Sequence, residues 1–322
     1  MFKTLNSSLF IYTLSIRFMS RFFVFILSLL LTFPAISQTS RDFLLRGLRH
    51  FAENNYQAAS DDFSKAIELD PGAYEALFRR GQSNLELGRL NQAHQDFSKV
   101  IEIQDRHGEA YYYRALTGIR IGMEEKALKD LKRALEIDST LVEAYLLRAE
   151  IGVKAGRNGT VLIDLNKAAA IAPANANVFH LRAKQFLRQG KEAEALADLS
   201  KAASFDPGNP EIRLERSQIF LKQGKYLDAI QDLSVAMEQG FNYAHIYQLR
   251  AEAYTKAEMN SQAIADYTML INTFSLRTDQ NYFQRGILRI QTNDFQGACE
   301  DLRKAGSMGH QEASKKAADI CR

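Results

Sequence analysis

An arginine followed sixteen residues later by an aspartate occurs eight times in this chain. The arginines are Arg46, Arg80, Arg114, Arg148, Arg182, Arg216, Arg250 and Arg285, and their aspartates are Asp62, Asp96, Asp130, Asp164, Asp198, Asp232, Asp266 and Asp301. Successive pairs lie 34 residues apart, apart from a last step of 35. A unit this short cannot bury an apolar face by itself, so a fixed period of this size means stacked copies of one supersecondary element.

Other positions repeat in phase. With Ser40 as position one, later units begin at Tyr74, Gly108, Val142, Ala176, Pro210, Ala244 and Asp279. Position eight is always small, from Gly47 and Gly81 to Ala251 and Gly286, and position twenty-four is always large, from Phe63 and Phe97 to Tyr267 and Leu302. Small residues let two helix backbones approach, and large ones fill the gap beside them. Gly88, Gly122, Gly156, Gly190 and Gly224 fall midway through their units, with Asn54, Glu258 and Asn293 in the same place elsewhere. Each marks a left-handed residue ending a first helix. Pro71, Pro173 and Pro207 stop the second helices. The fold class expected is therefore all-α, a solenoid of eight helix–turn–helix units closed by a capping helix at 311–322.

This pattern resembles the tetratricopeptide repeat, over residues 40 to about 312. Phe43, Leu77, Tyr111, Tyr145, Phe179 and Tyr247 take the place where that family carries an aromatic residue or its substitute, Arg213 departs from it, and the chain has no Trp. The resemblance implies one superhelix over residues 38–322, with first helices lining a concave surface. It places in that groove the apolar Phe78, Leu85, Tyr112, Ile119 and Leu146, together with His180. It also places there a row of bases, Arg120, Lys154, Arg188, Lys222 and Lys256. Glu75, Glu109, Glu143 and Glu211 stand at the opposite helix ends. An apolar strip edged by opposite charges suits a peptide. The same charges also complement helix dipoles, and the same apolar residues serve helix packing.

Residues 1–37 follow a different rule. Arg17 and Arg21 precede the apolar run Phe22–Phe33, and Ala35-Ile36-Ser37 supplies small residues. This reads as a secretory signal cleaved before Gln38, with Met19 an alternative start. An uncleaved anchor is the second reading and the one route to a membrane. Lys3, Arg17 and Arg21 lie in this segment and no acid does, so 41 basic and 38 acidic residues become 38 of each in the processed chain. No bulk attraction to nucleic acid follows.

Cys299 and Cys321 are the only cysteines. Residues early in one helix face residues late in its antiparallel neighbour, so the two thiols meet, as a disulfide in an exported protein or as reduced thiols otherwise. The run Gly297-Ala298-Cys299-Glu300-Asp301-Leu302, with a cysteine one helix on, looks like the end of exported tetratricopeptide proteins of Bacteroidetes-type bacteria.

Within a unit the arginine and aspartate stand at similar height. Arg therefore reaches Asp in its own unit or in an adjacent one, as an internal clip in preference to a ligand-catching ladder. The six histidines show no metal-ligand spacing, and His107 and His310, in inter-unit turns, are expected to be solvated. No nucleophile elbow, phosphate loop or dinucleotide fingerprint is present, so no enzyme, metal or cofactor is expected. The functional reading is an exported scaffold holding a protein or peptide. Alternatives are an anionic glycan or polymer on the basic row, and end-to-end self-assembly as an envelope component, which the cap opposes.

Overall fold

The computed structural model describes residues 39–276 and 278–321, the Asn158 side chain excepted. The signal expected at 1–37, the start at Met19 and the cleavage before Gln38 lie outside the described residues. Seventeen α-helices and no strand occur among the described residues. No helix among them is long and apolar enough to cross a membrane.

The chain divides into two compact units, at Ile137 and Asp138. The first holds α1 (Ser40–Ala52), α2 (Tyr56–Leu69), α3 (Tyr74–Glu86), α4 (Leu90–Ile103), α5 (Gly108–Arg120) and α6 (Glu124–Ile137). The second begins with α7 (Val142–Lys154), α8 (Asn158–Ile171), α9 (Ala176–Arg188), α10 (Glu192–Phe205), α11 (Pro210–Lys222) and α12 (Tyr226–Glu238). It continues with α13 (Ala244–Lys256), α14 (Asn260–Asn272), α15 (Asp279–Gln291), α16 (Phe295–Ser307) and α17 (Gln311–Ile320). Within each unit every helix packs on the next. All eight expected repeat starts are helix starts.

Local chemistry sets these boundaries. Thr39 and Asp42 form a capping box on α1, and Asn175, Asn209 and Thr278 accept from the first amides of α9, α11 and α15. The turn residues Gly88, Gly122, Gly156, Gly190 and Gly224 have φ between 70° and 84°, and Asn54, Glu258 and Asn293 adopt φ of 57–63° in the same place. The one-residue insertion before the last repeat is absorbed at Ser275, with φ 56°, where the Leu276 amide donates back to Leu270 O at 2.9 Å.

The shared core is position twenty-four, buried to within 4% exposure in all eight repeats, flanked by small residues. Burying each such Leu or Phe contributes about 1.5–3 kcal/mol. Where that residue is Phe, position eight is Gly: a Cβ at Gly47 or Gly81 would come 2.6 or 2.7 Å from the Phe63 or Phe97 ring. Where it is Leu, position eight is Ala beside Leu131, Leu165 and Leu199, Ser217 beside Leu233 and Gly286 beside Leu302. In the first five repeats volume is thus conserved by exchange between facing helices.

Cys299 and Cys321 are joined, with Cα atoms 5.5 Å apart. The bond fixes the end of α17 to the second turn of α16. Arg303 adds a hydrogen bond from Nη2 to Cys321 O at 2.9 Å. Only Ala313 of α17 is fully buried, against Phe283, Leu302 and Ala305.

Candidate functional site

Each of the eight arginines reaches the aspartate of its own repeat. Nε donates to Oδ2 at 2.7–3.0 Å and Nη2 to Oδ1 at 2.5–2.8 Å, a bidentate fork every time. The aspartates are buried, with Asp232 1% exposed. Hydrogen bonding to Asp130, Asp164, Asp198 and Asp266 holds Arg114, Arg148, Arg182 and Arg250 above the usual guanidinium range. Beneath most of these guanidinium groups lies the position-four ring, from 4.8 Å for Arg46 over Phe43 to 5.8 Å for Arg285 over Tyr282. In repeat six the ring is replaced by Arg213, which also bonds Asp232, at 2.8 Å.

A further contact escaped the sequence reading. The remaining Nη1 of Arg80, Arg182, Arg250 and Arg285 donates to Ser64, Asn166, Ser234 and Thr268 at 3.0–3.1 Å. These acceptors all stand at position twenty-five of the preceding repeat. One arginine therefore closes its own helix pair and latches it to the pair before. The recurrence of a small polar residue immediately after the large apolar one was the available signal.

The expected groove residues divide. Phe78, Leu85 and His180 are 4%, 7% and 7% exposed. Phe78 packs edge-on against Phe97 and Tyr113, at centroid distances of 5.8 and 5.5 Å. His180 bonds Glu215 through Nε2 at 3.0 Å, and Lys184 stands 3.5 Å from the same carboxylate. These three are corrected from groove wall to core, because side chains of the neighbouring helices cover them: Phe78 and Leu85 join the core cluster around Phe97, and His180 is covered from the next repeat by Glu215. Tyr112, Ile119 and Leu146 are half-buried. Arg120, Lys154, Arg188, Lys222 and Lys256 are all exposed, each in a last helical turn or at its end. Lys222 is engaged with Glu192 at 2.6 Å. Lys154, Arg188 and Lys256 have no partner among the described residues. His107 and His310 are corrected too. Each accepts the amide three residues on through Nδ1, at 3.2 Å, capping α5 and α17. His107 also packs on Phe78 and His310 stacks on Phe283, at 4.8 and 4.1 Å.

Hollows open beside these helices. In the second unit one of about 280 Å³ has Val153, Val161, Leu165 and Leu181 as its floor and Glu150, Lys154, Lys184 and Arg188 at its rim. Another, of about 460 Å³, lies among α11, α13 and α15 and is lined by Tyr226, Gln248, Glu252, Lys256, Tyr267 and Gln284. Burial, reinforced by the nearby Glu252 charge, pushes the Tyr267 hydroxyl up to about 12. In the first unit a polar hollow of about 340 Å³ is lined by Ser60, Ser64, Arg80, Gln92 and Lys99 among others. No three His, Cys, Asp or Glu side chains among the described residues converge to hold a metal ion.

Sequence models of the tetratricopeptide repeat match residues 44–106, 108–141 and 186–265, together more than half of the chain. A search of curated proteins gives no match. Among solved structures, pilF of Pseudomonas aeruginosa is 20% identical, with a TM-score of 0.55 over 63% of this chain and 92% of that one. A tetratricopeptide repeat protein from Parabacteroides merdae is 20% identical over 77% of this chain and 98% of its own, with a TM-score of 0.48. YrrB, described as a TPR protein with an unusual peptide-binding site, is 20% identical over 57% of this chain and 91% of its own, with a TM-score of 0.44. Identities of this size speak to fold alone. From the repeat positions, the helix pairs and the sequence matches together, the chain belongs to the tetratricopeptide repeat family, whose fold is typically a non-catalytic scaffold for protein–protein interaction.

Proposed function

We propose that this protein is an exported scaffold that holds a protein or peptide partner against the first-helix faces of its repeats. One observation carries the reading. Among the described residues of 138–322 those faces carry open hollows, and the side chains at their rims, Lys154, Arg188 and Lys256, are not spent on bonds to other described residues. Clips elsewhere in the fold satisfy nearly every buried charge, so cations left unpaired beside a concavity are available to a ligand. Export is supported by the signal-like pattern of residues 1–37 and by a disulfide of the kind that persists outside a reducing cytosol. The Cys299 segment, with its likeness to exported Bacteroidetes-type repeat proteins, points the same way.

An anionic polymer on the basic row is less favoured, since Lys222 is already neutralised by Glu192. The test is crosslinking mass spectrometry in the native envelope, followed by binding of the purified partner to wild type and to the variant Arg120→Glu, Lys154→Glu, Arg188→Glu, Lys256→Glu. A loss of at least tenfold in the variant is expected. Unchanged affinity would remove these faces from the function. Export is checked by fractionation and N-terminal sequencing, with Gln38 as the expected first residue.

A further inference from the structure

The smaller hollow of the second unit differs from the larger one, which is lined mainly by polar side chains. Its floor is apolar, made by Val153, Val161, Leu165 and Leu181, and its rim carries three cations and one carboxylate. The room comes from the sequence. In the first unit the corresponding positions twenty-four and six hold Phe97 and Tyr113, whose rings stack at 5.4 Å and fill the space between helix pairs. Here both positions are leucine, Leu165 and Leu181, and two side chains without rings leave a hollow of about 280 Å³. A cavity of roughly half that volume is enough to hold benzene. Lys154 and Arg188 stand free at the edge, Lys184 is 3.5 Å from Glu215, and Glu150 is the one acid of the rim.

We propose that this hollow receives a single apolar side chain, of leucine to phenylalanine size, from a peptide segment that carries acidic residues on either side of it. The proposal rests on the scaffold reading and narrows its partner. The apolar floor supplies burial and selects for size. The surplus positive charge of the rim selects acidic flanks and repels basic ones, an effect that weakens as salt rises. An open hollow with an apolar base and charged lip does not suit a uniformly charged polymer, which would leave the floor uncovered.

The test is a methyl NMR titration of the full chain, reading Val153, Val161, Leu165 and Leu181. The probes are acetyl-Gly-Glu-Phe-Glu-Gly-amide, the same peptide with Ala for Phe, the same with Lys for Glu, and octanoate. We expect the acidic Phe peptide to shift these methyls and to bind at least tenfold more tightly than either altered peptide. Lys154→Glu with Arg188→Glu should weaken it at least tenfold. Leu181→Tyr, which copies the filled arrangement of Tyr113, should abolish it while far-UV circular dichroism stays that of wild type. Equal binding of the Ala peptide, shifts confined to other methyls, or octanoate binding tenfold more tightly than the peptide would each overturn the proposal. Capture of the native partner tells the hollow and the scaffold apart. Capture lost in the quadruple charge variant but unaffected by Leu181→Tyr keeps the scaffold and sinks the hollow. Peptide binding at the hollow in a protein that captures no partner supports the hollow and sinks the scaffold.

Discussion

Breaking one Arg–Asp clip at Arg182 and Asp198 measures what the eightfold pattern contributes. Asp198 is 3% exposed and accepts from Arg182 at 2.7 and 2.8 Å. The Arg182 side chain keeps 16% exposure and a bond to Asn166 at 3.0 Å, with Phe179 and Phe186 rings 5.4 and 5.9 Å from its guanidinium carbon. Removing one partner of a buried ion pair costs about 3–5 kcal/mol, mostly through the charge left behind. In Asp198→Ala the orphan is a guanidinium that still reaches solvent and Asn166, so the cost should sit near 3 kcal/mol. In Arg182→Met the orphan is the more deeply buried carboxylate, so the cost should be larger, about 4 kcal/mol. Replacing both, Arg182→Met with Asp198→Leu, leaves no orphan and lays an apolar stem on the two rings. That double variant should fall within about 1 kcal/mol of wild type. Urea unfolding followed by far-UV circular dichroism reads all four proteins, and the double-mutant cycle gives the coupling. A loss below about 1 kcal/mol in Asp198→Ala, or a double variant as damaged as either single one, would show that the clip reasoning is wrong.

Other outcomes follow from the same geometry. Gly81→Ala drives a Cβ to 2.7 Å from the Phe97 ring; overpacking of about 1–3 kcal/mol, offset by ~1 kcal/mol of helix propensity, should leave a net loss that Phe97→Leu in the same chain largely restores, as thermal melts will show. Cys299→Ala with Cys321→Ala opens a loop of 22 residues; the loss of roughly 3 kcal/mol should fall on α17, seen as faster amide exchange over 311–320 with the other helices unchanged. Tyr267 should ionise near pH 12 against an ordinary 10; because its folded pKa is raised, stability holds below pH 10 and falls as pH rises toward 12, and Tyr267→Phe should flatten that fall in alkaline unfolding curves.

Much of the fold was legible because a stacked repeat states each packing rule eight times. Small at position eight, large at twenty-four and a left-handed residue between helices are local requirements of close helix approach and of chain reversal. Even non-glycine turn residues such as Glu258 could be placed by phase, although Glu rarely chooses φ of 57°. The choice of Asp partner for each arginine was not legible, because residues at one height in neighbouring repeats are equivalent along the chain. Only the packed geometry showed the fork closing within a repeat and the third nitrogen crossing to Ser64 or Asn166.

The candidate site shows the same division. Period and spacing alone put Phe78, Leu85, Lys154 and Arg188 on first helices, which the coordinates retain. Whether a side chain on such a face is surface or core depends on how far the following helix leans over it, and on the volumes that meet there. Phe78 is sealed by Tyr113, whereas Val153 and Leu181 stay partly open above the buried Leu165. The amino-acid sequence by itself determined the helices, their ends and the recurring clip, since these follow from near neighbours and a constant period. Tertiary structure alone decided which apolar positions remain open and which bases stay unpaired, because burial and pairing are set by side chains of adjacent repeats that meet only when stacked.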